Sequence, residues 1–404
     1  VKTYLVGGAV RDQLLGLTVK ERDWVVVGAT IEEMIEKGFK PVGKDFPVFL
    51  HPKTHEEYAL ARTERKTAKG YKGFQFYTDV DVTLEQDLAR RDITINAMAR
   101  DESDKLIDLF GGQKDLKNKL LRHVSSAFGE DPVRILRMAR FASKFGDFSI
   151  ATETNQLMQS MVESGEVDAL VPERVWQEFR RALHESYPER FIEVLRDCGA
   201  LKVIFPEIDT LFGIPNPEDY HPEVDSGIHT LLALQQAVKL GGDAMVRFAV
   251  LMHDLGKIES PKEEWPRHFK HHQAGVGIVK AFCERLPVPK EYRDLAVLVT
   301  RYHGHCHNAL KLNEKTVVKL LKTLDPFRKP DRFEQFLLAC HADMLGRQGF
   351  EDRPYPQADF LRKAYEECGA IDVQKLIEGL DNPRAIEQVI HKARLEVVKQ
   401  IIRQ

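Results

Sequence analysis

Near the start of the chain, Tyr4-Leu-Val-Gly-Gly-Ala-Val-Arg-Asp-Gln-Leu-Leu-Gly16 leads into Glu21-Arg-Asp23-Trp-Val-Val-Val27, and that succession leaves few folds open. An apolar run, a glycine pair, a helix-like segment and a β-branched run predict strand, turn, helix and strand in that order. Side chains two apart on a strand share a face, so Glu21 and Asp23 can offer two carboxylates to one spot. Hard divalent ions such as Mg²⁺ are held by one or two carboxylates plus substrate phosphate oxygens. Backbone N–H groups at the Gly7-Gly8 turn, just before a helix start, can cradle an anion. Arg11 adds a fork matched to phosphate. Each piece alone is commonplace, a solvated strand edge or a plain turn; in this order they read as a metal and triphosphate site.

The β signal is confined to residues 1–110. Strands are predicted at Tyr4–Val6, Trp24–Val27, Phe46–Leu50, Glu57–Ala61 and Leu106–Leu109, and helices at Val10–Leu15, Thr30–Lys37 and Leu84–Ala99. Beyond about residue 115, helical periodicity takes over. The expected class is therefore α+β: a small mixed-sheet head and a mostly helical remainder. At 404 residues the chain has room for two to four domains. We divide it into a head at 1–140, a helical neck and body at 141–220, a histidine-dense region at 221–346 and a helical tail at 347–404. The four prolines between Phe205 and Pro222 mark that stretch as a linker candidate. A net charge of −3 argues against a uniformly basic nucleic-acid binder but leaves room for a local basic stripe. The five scattered cysteines, without a CxxC pair, point to reduced thiols in the cytoplasm. No apolar run reaches the ~20 residues needed to span a bilayer, so no membrane is expected as a partner. The sequence leaves the oligomeric state open between monomer and homodimer.

Three further stretches bear on the head. Glu57, at the start of a strand-like run, either supplies a third carboxylate to the same metals or is an exposed strand-end charge. The basic, glycine-bearing stretch Arg62–Gly73 suits a loop closing over a polyanion, or a plain solvated loop. In Arg90-Arg91-Asp92-Ile-Thr-Ile-Asn96, Asp92 can buttress one arginine and leave Arg91 for a triphosphate. In Asp131-Pro-Val-Arg134-Ile-Leu-Arg137-Met-Ala-Arg140, arginines recur every three residues along one helix face, with Asp131 at the helix start and Pro132 in its first turn. The bland reading is a cap and a solvated stripe. In the sharper one Asp131 accepts from an exocyclic amine and Arg134 donates to a base edge, so that a side-chain pair reads a nucleotide, with Arg137 and Arg140 continuing toward phosphates.

Together, LVGGAVRDQLLG with ERD, RRDITINAMA, EDPVRILRMARF and PERVWQEF resemble, in order and spacing, the bacterial class of CCA-adding enzymes, tRNA nucleotidyltransferases of the polymerase β superfamily. The likeness covers residues 1 to about 220. It implies a head, neck, body and tail, with tRNA, CTP and ATP as substrates and Mg²⁺ as cofactor. Glu21 and Asp23 would be the metal pair, where the family more often has two aspartates. Gly8, Arg11, Arg91, Arg137 and Arg140 would contact nucleotide, and Asp131 and Arg134 would choose CTP and ATP.

His229, His253-Asp254 within Leu251-Met-His-Asp-Leu-Gly-Lys257, and Asp343 fit the H…HD…D pattern of HD phosphohydrolases. Imidazole and carboxylate together suit a divalent transition metal, and a bound ion can activate water against a phosphate ester. His271 and His303 fall where some HD domains hold a second metal; His268, His272, His305 and His307 read as bystanders, and Asp325 competes with Asp343 as the last ligand. This region extends the resemblance to multifunctional CCA proteins with an all-α HD domain, implying phosphatase, 2′-nucleotidase and 2′,3′-cyclic phosphodiesterase activity, often with Ni²⁺. The rivals are a poly(A) polymerase, whose usual chain lacks the HD region and ends in a basic tail, an HD phosphohydrolase with a nucleotide-sensing head, and a non-catalytic RNA-binding scaffold.

Overall fold

Contiguous apolar runs in β1 (Lys2–Val6) and β2 (Asp23–Val27) suit strands covered on both faces, and the two pair antiparallel with Val6 opposite Asp23. The computed structural model describes residues 1–42, 48–66, 74–219 and 223–403, with backbone alone at 64–66 and 74–76. The other strands are β3 (Lys40–Val42), β4 (Val48–Leu50), β5 (Glu57–Leu60), β6 (Thr63–Lys66), β7 (Phe74–Tyr77), β8 (Met98–Arg100) and β9 (Leu106–Asp108). A mixed seven-stranded sheet runs in the order β3-β4-β5-β2-β1-β8-β9, with β2 and β5 parallel and the other pairs antiparallel. Val6 and Val25 face a core that includes Leu88, Ala97 and Ala99. Val26 faces the opposite layer, with Met34 and Phe49. The side-chain period of two then leaves Asp23 on the Val25 face, at the strand's exposed end.

Several expectations need correction. The strand begins at Asp23, so Glu21 precedes it in irregular backbone rather than standing two along the same strand. The helix expected at Leu84–Ala99 is Leu84–Ala89 only, followed by a 3-10 turn at Thr94–Asn96 and β8. Asp92 accepts from the Ile93 N–H, and local side-chain bonding together with the β-branched Ile93-Thr94-Ile95 run competes with the helix. Part of the expected 62–73 loop is β6, paired with β7 as a hairpin; residues 67–73 lie outside the described residues, as do Phe46 and Pro47 of the expected Phe46–Leu50 strand.

The described chain divides into two units, Val1–Ile204 and Phe205–Gln404. In the first, the Val133–Lys144 helix packs on helices Pro172–His184 and Glu189–Asp197. The second is helical. The proline-bearing stretch is not a free linker: Phe205, Ile208 and Leu211 are buried, and Asn216 accepts from Lys257 Nζ at 2.8 Å. Tyr220, His221 and Pro222 lie outside the described residues. Helices Ser226–Lys239, Ala244–Met252, His271–Arg285, Lys290–His307 and Pro330–Leu345 form the core of this unit. No helix among the described residues is long and apolar enough to cross a membrane.

The glycine of HDLGK has a packing role. A Cβ on Gly256 would collide with the His271 carbonyl oxygen and lie 2.6 Å from the Gly275 nitrogen, because the Leu255–Glu259 turn touches the His271–Arg285 helix backbone to backbone. Overpacking of this kind costs up to about 3 kcal/mol. We therefore predict that Gly256→Ala loses about that much stability in denaturant unfolding of the full chain; a loss under about 0.5 kcal/mol, the size of an ordinary surface change, would contradict the close approach.

Candidate active sites

In the head, sheet register brings the acids together. Asp23 of β2 lies directly opposite Glu57 of the parallel strand β5, and on its other side opposite Val6, which immediately precedes the glycine pair. Cross-strand neighbours share a face, so Glu57 stands beside Asp23 on the same surface. Desolvation raises the Asp23 carboxyl above its ordinary pKa; Arg91 pulls it back and Glu21 pushes it further up. An acid raised by partial burial and a like-charged neighbour is one that a bound cation would relieve, so these residues fit a divalent metal.

The arginines around this spot are held by buried acceptors. Asp87, fully buried, accepts from Arg90 at 2.7 Å, from Arg91 at 3.3 Å and from the Arg62 N–H at 3.3 Å. Burial opposes its ionisation, but the two arginines win and hold it below the usual carboxylate range. Arg91 NH1 in turn rests against Gly7: a Cβ there would come within 2.9 Å of it, and Gly7 has φ +72°. Gly7 is thus required twice, for its backbone angle and for the guanidinium it seats. Arg11 is buried, donating to Asn96 Oδ1 at 2.5 Å and to Asp12 at 2.8 Å, with its guanidinium 5.1 Å from the Phe145 ring. The fork is therefore turned away from solvent, toward the Val133–Lys144 helix. The adjoining Gly8 lies in the seven-residue Gly8–Leu14 helix.

Asp131, one residue before the Pro132 N-cap of the Val133–Lys144 helix, accepts from the Val133 N–H at 3.0 Å, and its other oxygen meets Arg174 at 3.4 Å. Arg134 donates to the Arg90 carbonyl at 2.8 Å. Arg137 meets Asp92 at 2.6 Å and Arg140 meets Glu178 at 2.6 Å. The three arginines are thus anchored to different elements rather than forming a solvated stripe. Arg174, inside PERVWQEF, and Asp87 escaped the sequence reading; the spacing of Asp87 three and four residues before Arg90 and Arg91 was the available signal.

In the second unit all four expected ligands converge. His229 Nε2 lies 3.0 Å from Asp343 Oδ1, and His253 Nε2 lies 3.1 Å from Asp254 Oδ2 and 3.6 Å from Asp343 Oδ1; all four are buried. One ligand atom each from His229, His253 and Asp254 falls within a 4.8 Å spread, as do those of His253, His303 and Asp343, and of His271, His272 and His303. Burial disfavours a charged His253, but Asp254 and Asp343 overcome it and push the imidazole up to about 9. Both carboxyls are held well below their usual range against their own burial, Asp254 by His253 and Lys257, Asp343 by His253 and His307. A buried cluster this rich in acceptors fits a divalent ion.

His307 and His272 are not bystanders. His307 Nε2 contacts Asp343 Oδ2 at 2.7 Å, and its Nδ1 bonds the buried Tyr355 hydroxyl at 2.9 Å. His307 follows His303 by four residues, hence on one helix face, which the sequence offered as a signal. Tyr355 lies in the expected helical tail, where no local pattern signals it. Asp325 is bound by Arg328 at a helix end and takes no part in the groups that hold Asp343. Asp254, His271, His303, His307 and Asp343 line a cavity of about 800 Å³.

Family models match in the same order: a poly A polymerase head domain at residues 3–122, a probable RNA and SrmB-binding site of polymerase A at 147–212, and an HD domain at 227–326. A multifunctional CCA protein of Thioalkalivibrio sulfidiphilus is 61% identical over 404 residues, covering 99% of this chain and 98% of its own. Two solved structures share the fold. A CCA-adding enzyme in complex with CTP matches with a TM-score of 0.66 at 23% identity, over 98% of this chain and 87% of that one. A Thermotoga maritima CCA-adding enzyme complexed with tRNA matches with a TM-score of 0.63 at 22% identity, over 100% and 91%.

The buried Asp87 cluster yields a prediction independent of activity. Removing one partner of a buried pair leaves an uncompensated charge and costs roughly 3 kcal/mol, so Asp87→Asn should destabilise by about that amount at neutral pH. Because the folded carboxyl pKa is depressed, the wild-type advantage is complete above the unfolded value of about 4 and is lost as pH falls through the lower folded value. Urea unfolding of both proteins across pH 3–7 checks this; equal stabilities at pH 7 would contradict it.

Proposed function

The chain belongs to the multifunctional CCA proteins, CCA-adding tRNA nucleotidyltransferases that carry an HD phosphohydrolase domain, and from that premise we propose how its residues divide the work. The substrates of the head are tRNA, CTP and ATP. The 3′-terminal hydroxyl of the tRNA attacks the α-phosphate of CTP twice and then of ATP, and pyrophosphate leaves each time. Glu21 and Asp23, with Glu57 as a third carboxylate, hold Mg²⁺, which supplies Lewis acidity for the transfer when bound. The observation that carries this reading is the Asp23–Glu57 register with Arg91 seated at Gly7 next to it.

Arg91 meets the triphosphate from the glycine turn, and Gly8 gives the backbone room to approach it. Arg11 contributes from beneath, keeping that turn in shape through Asn96 and Asp12. Asp131, oriented by the Val133 N–H and Arg174, still has lone pairs to accept the exocyclic amine shared by cytosine and adenine. Arg134 donates to the same base edge, and Arg137 and Arg140 complete the nucleotide contacts. A site built to pair with that amine rejects uracil strongly.

In the second unit His229, His253, Asp254 and Asp343 hold Ni²⁺ or another divalent transition metal, which supplies the Lewis acid for hydrolysis of a phosphate ester. Its reactions are those of a phosphatase, 2′-nucleotidase and 2′,3′-cyclic phosphodiesterase. His271 and His303, joined by His272, form a neighbouring ligand group. The enzyme works in the cytoplasm, where its tRNA substrate is found. A poly(A) polymerase is disfavoured by the 61% identity to a multifunctional CCA protein over essentially the whole chain.

Paired variants test the division. Glu21→Ala and Asp23→Ala should each reduce addition of both C and A at least a hundredfold and leave hydrolysis of adenosine 2′-phosphate intact. His253→Ala and Asp254→Ala should do the reverse. Loss of only one nucleotide in Asp23→Ala, or failure of addition in a folded His253→Ala, would show the roles to be misassigned.

A further inference from the structure

The cavity over the HD cluster carries two side chains that neither metal binding nor core packing employs. Phe269 is 64% exposed, more than any other large apolar side chain among the described residues, and it lines this cavity. An exposed phenylalanine on a surface costs apolar hydration for no packing gain, and the backbone on either side of this one is held by its neighbours. His268 Nε2 is tied to the Pro215 carbonyl at 2.7 Å, His271 Nδ1 to the His268 carbonyl at 2.6 Å, and Lys270 adopts φ +62° between them. The segment is thus pinned on both sides of the ring, and its next anchor, His271, lies 3.5 Å from Asp254.

Arg347 is the second. It follows Asp343 by one helical turn, just past the Pro330–Leu345 helix, and lines the same cavity. Its Nε is buried and bonds to nothing among the described residues. The side chain as a whole is only half-buried, and no partner among the described residues holds that donor in place, so the guanidinium is available to the cavity as the planar fork that suits a phosphate. Lys311 and Arg353 line the same cavity, so its wall is cationic beyond the ligand cluster.

We propose that Phe269 and Arg347 form a nucleoside-phosphate recognition pair at the HD site, the ring stacking on the base of a terminal nucleotide and the guanidinium holding its phosphate. The inference rests on the HD phosphohydrolase reading and deepens it: the site selects phosphate esters that carry a nucleobase over those that do not. Stacking of a base on an aromatic side chain is sequence-tolerant, which suits an RNA end whose last base varies. It also separates the two roles, because the ring discriminates among esters while the arginine is needed by all of them.

The test uses the full-length protein. Calorimetry of adenosine 2′-phosphate against EDTA-treated protein should give a dissociation constant about tenfold weaker in Phe269→Ala, a stacking loss at the modest end of the usual range, with Phe269→Trp restoring it. In metal-loaded protein, the ratio of kcat/KM for adenosine 2′-phosphate over glycerol 2-phosphate should fall about tenfold in Phe269→Ala. Arg347→Met should weaken competitive inhibition by inorganic phosphate about tenfold and Arg347→Lys less, since a point charge replaces part of the fork. A selectivity ratio and affinity within twofold of wild type in Phe269→Ala would overturn the base platform. Unchanged phosphate inhibition in Arg347→Met would overturn the phosphate anchor. If the metal-loaded wild type hydrolyses neither ester, the phosphohydrolase reading itself fails and the pair falls with it; normal wild-type hydrolysis with unchanged variants removes the pair alone.

Discussion

A carboxylate buried with its arginines is the interaction on which the head depends. Asp87 sits without solvent contact and still ionises, because Arg90, Arg91 and the Arg62 N–H share its oxygens. Desolvation is the largest single effect on Asp87, and only the arginines and hydrogen bonds acting together outweigh it, so the cluster depends on its geometry being complete. That geometry fixes Arg91 against Gly7, and it fixes the Arg90 carbonyl that receives Arg134. Asp92 repeats the device one residue beyond Arg91: burial would raise its carboxyl, but Arg137 holds it below the usual range. Arg91 and Arg137 are therefore held in place by buried acids.

The second unit uses the same logic with imidazole in place of guanidinium. Asp254 and Asp343 are buried, and each is surrounded by histidines from several helices. Their charge pushes the His253 imidazole up to about 9 against its burial, and a divalent cation would draw on the same acceptors. Lys257, 2.6 Å from Asp254 and 2.8 Å from Asn216, anchors the cluster to the proline-bearing stretch. This explains why that stretch packs as part of the unit.

Motif order made much of this legible from sequence. The strand–turn–helix–strand start, the mixed-sheet head with a helical remainder, and the His229, His253, Asp254 and Asp343 set all follow from patterns local in sequence or from fixed motifs. Other features hung on pairing. Glu57 remained ambiguous because only the parallel register of β2 and β5, strands that are not consecutive, aligns it with Asp23. Arg11 read as a phosphate fork because nothing local reveals that Asn96 and Phe145 enclose it. The helix from Leu84 was drawn too long, since its apolar period runs on smoothly while Asp92 and the β-branched residues after it break the backbone. Tyr355 lay in a tail with no motif, and only the fold brings its hydroxyl to His307.

The roles proposed for Asp131 and Arg134 require that side chains, with no nucleic-acid template, choose the nucleotides that the head adds. Incubating the protein and Mg²⁺ with a tRNA lacking its last three nucleotides, one labelled nucleotide at a time and then together, measures this most directly. Two cytidines followed by one adenosine are expected, with no incorporation of uridine or guanosine and growth that stops at the completed end. Long adenosine tails, or addition that ignores the identity of the nucleotide, would contradict it.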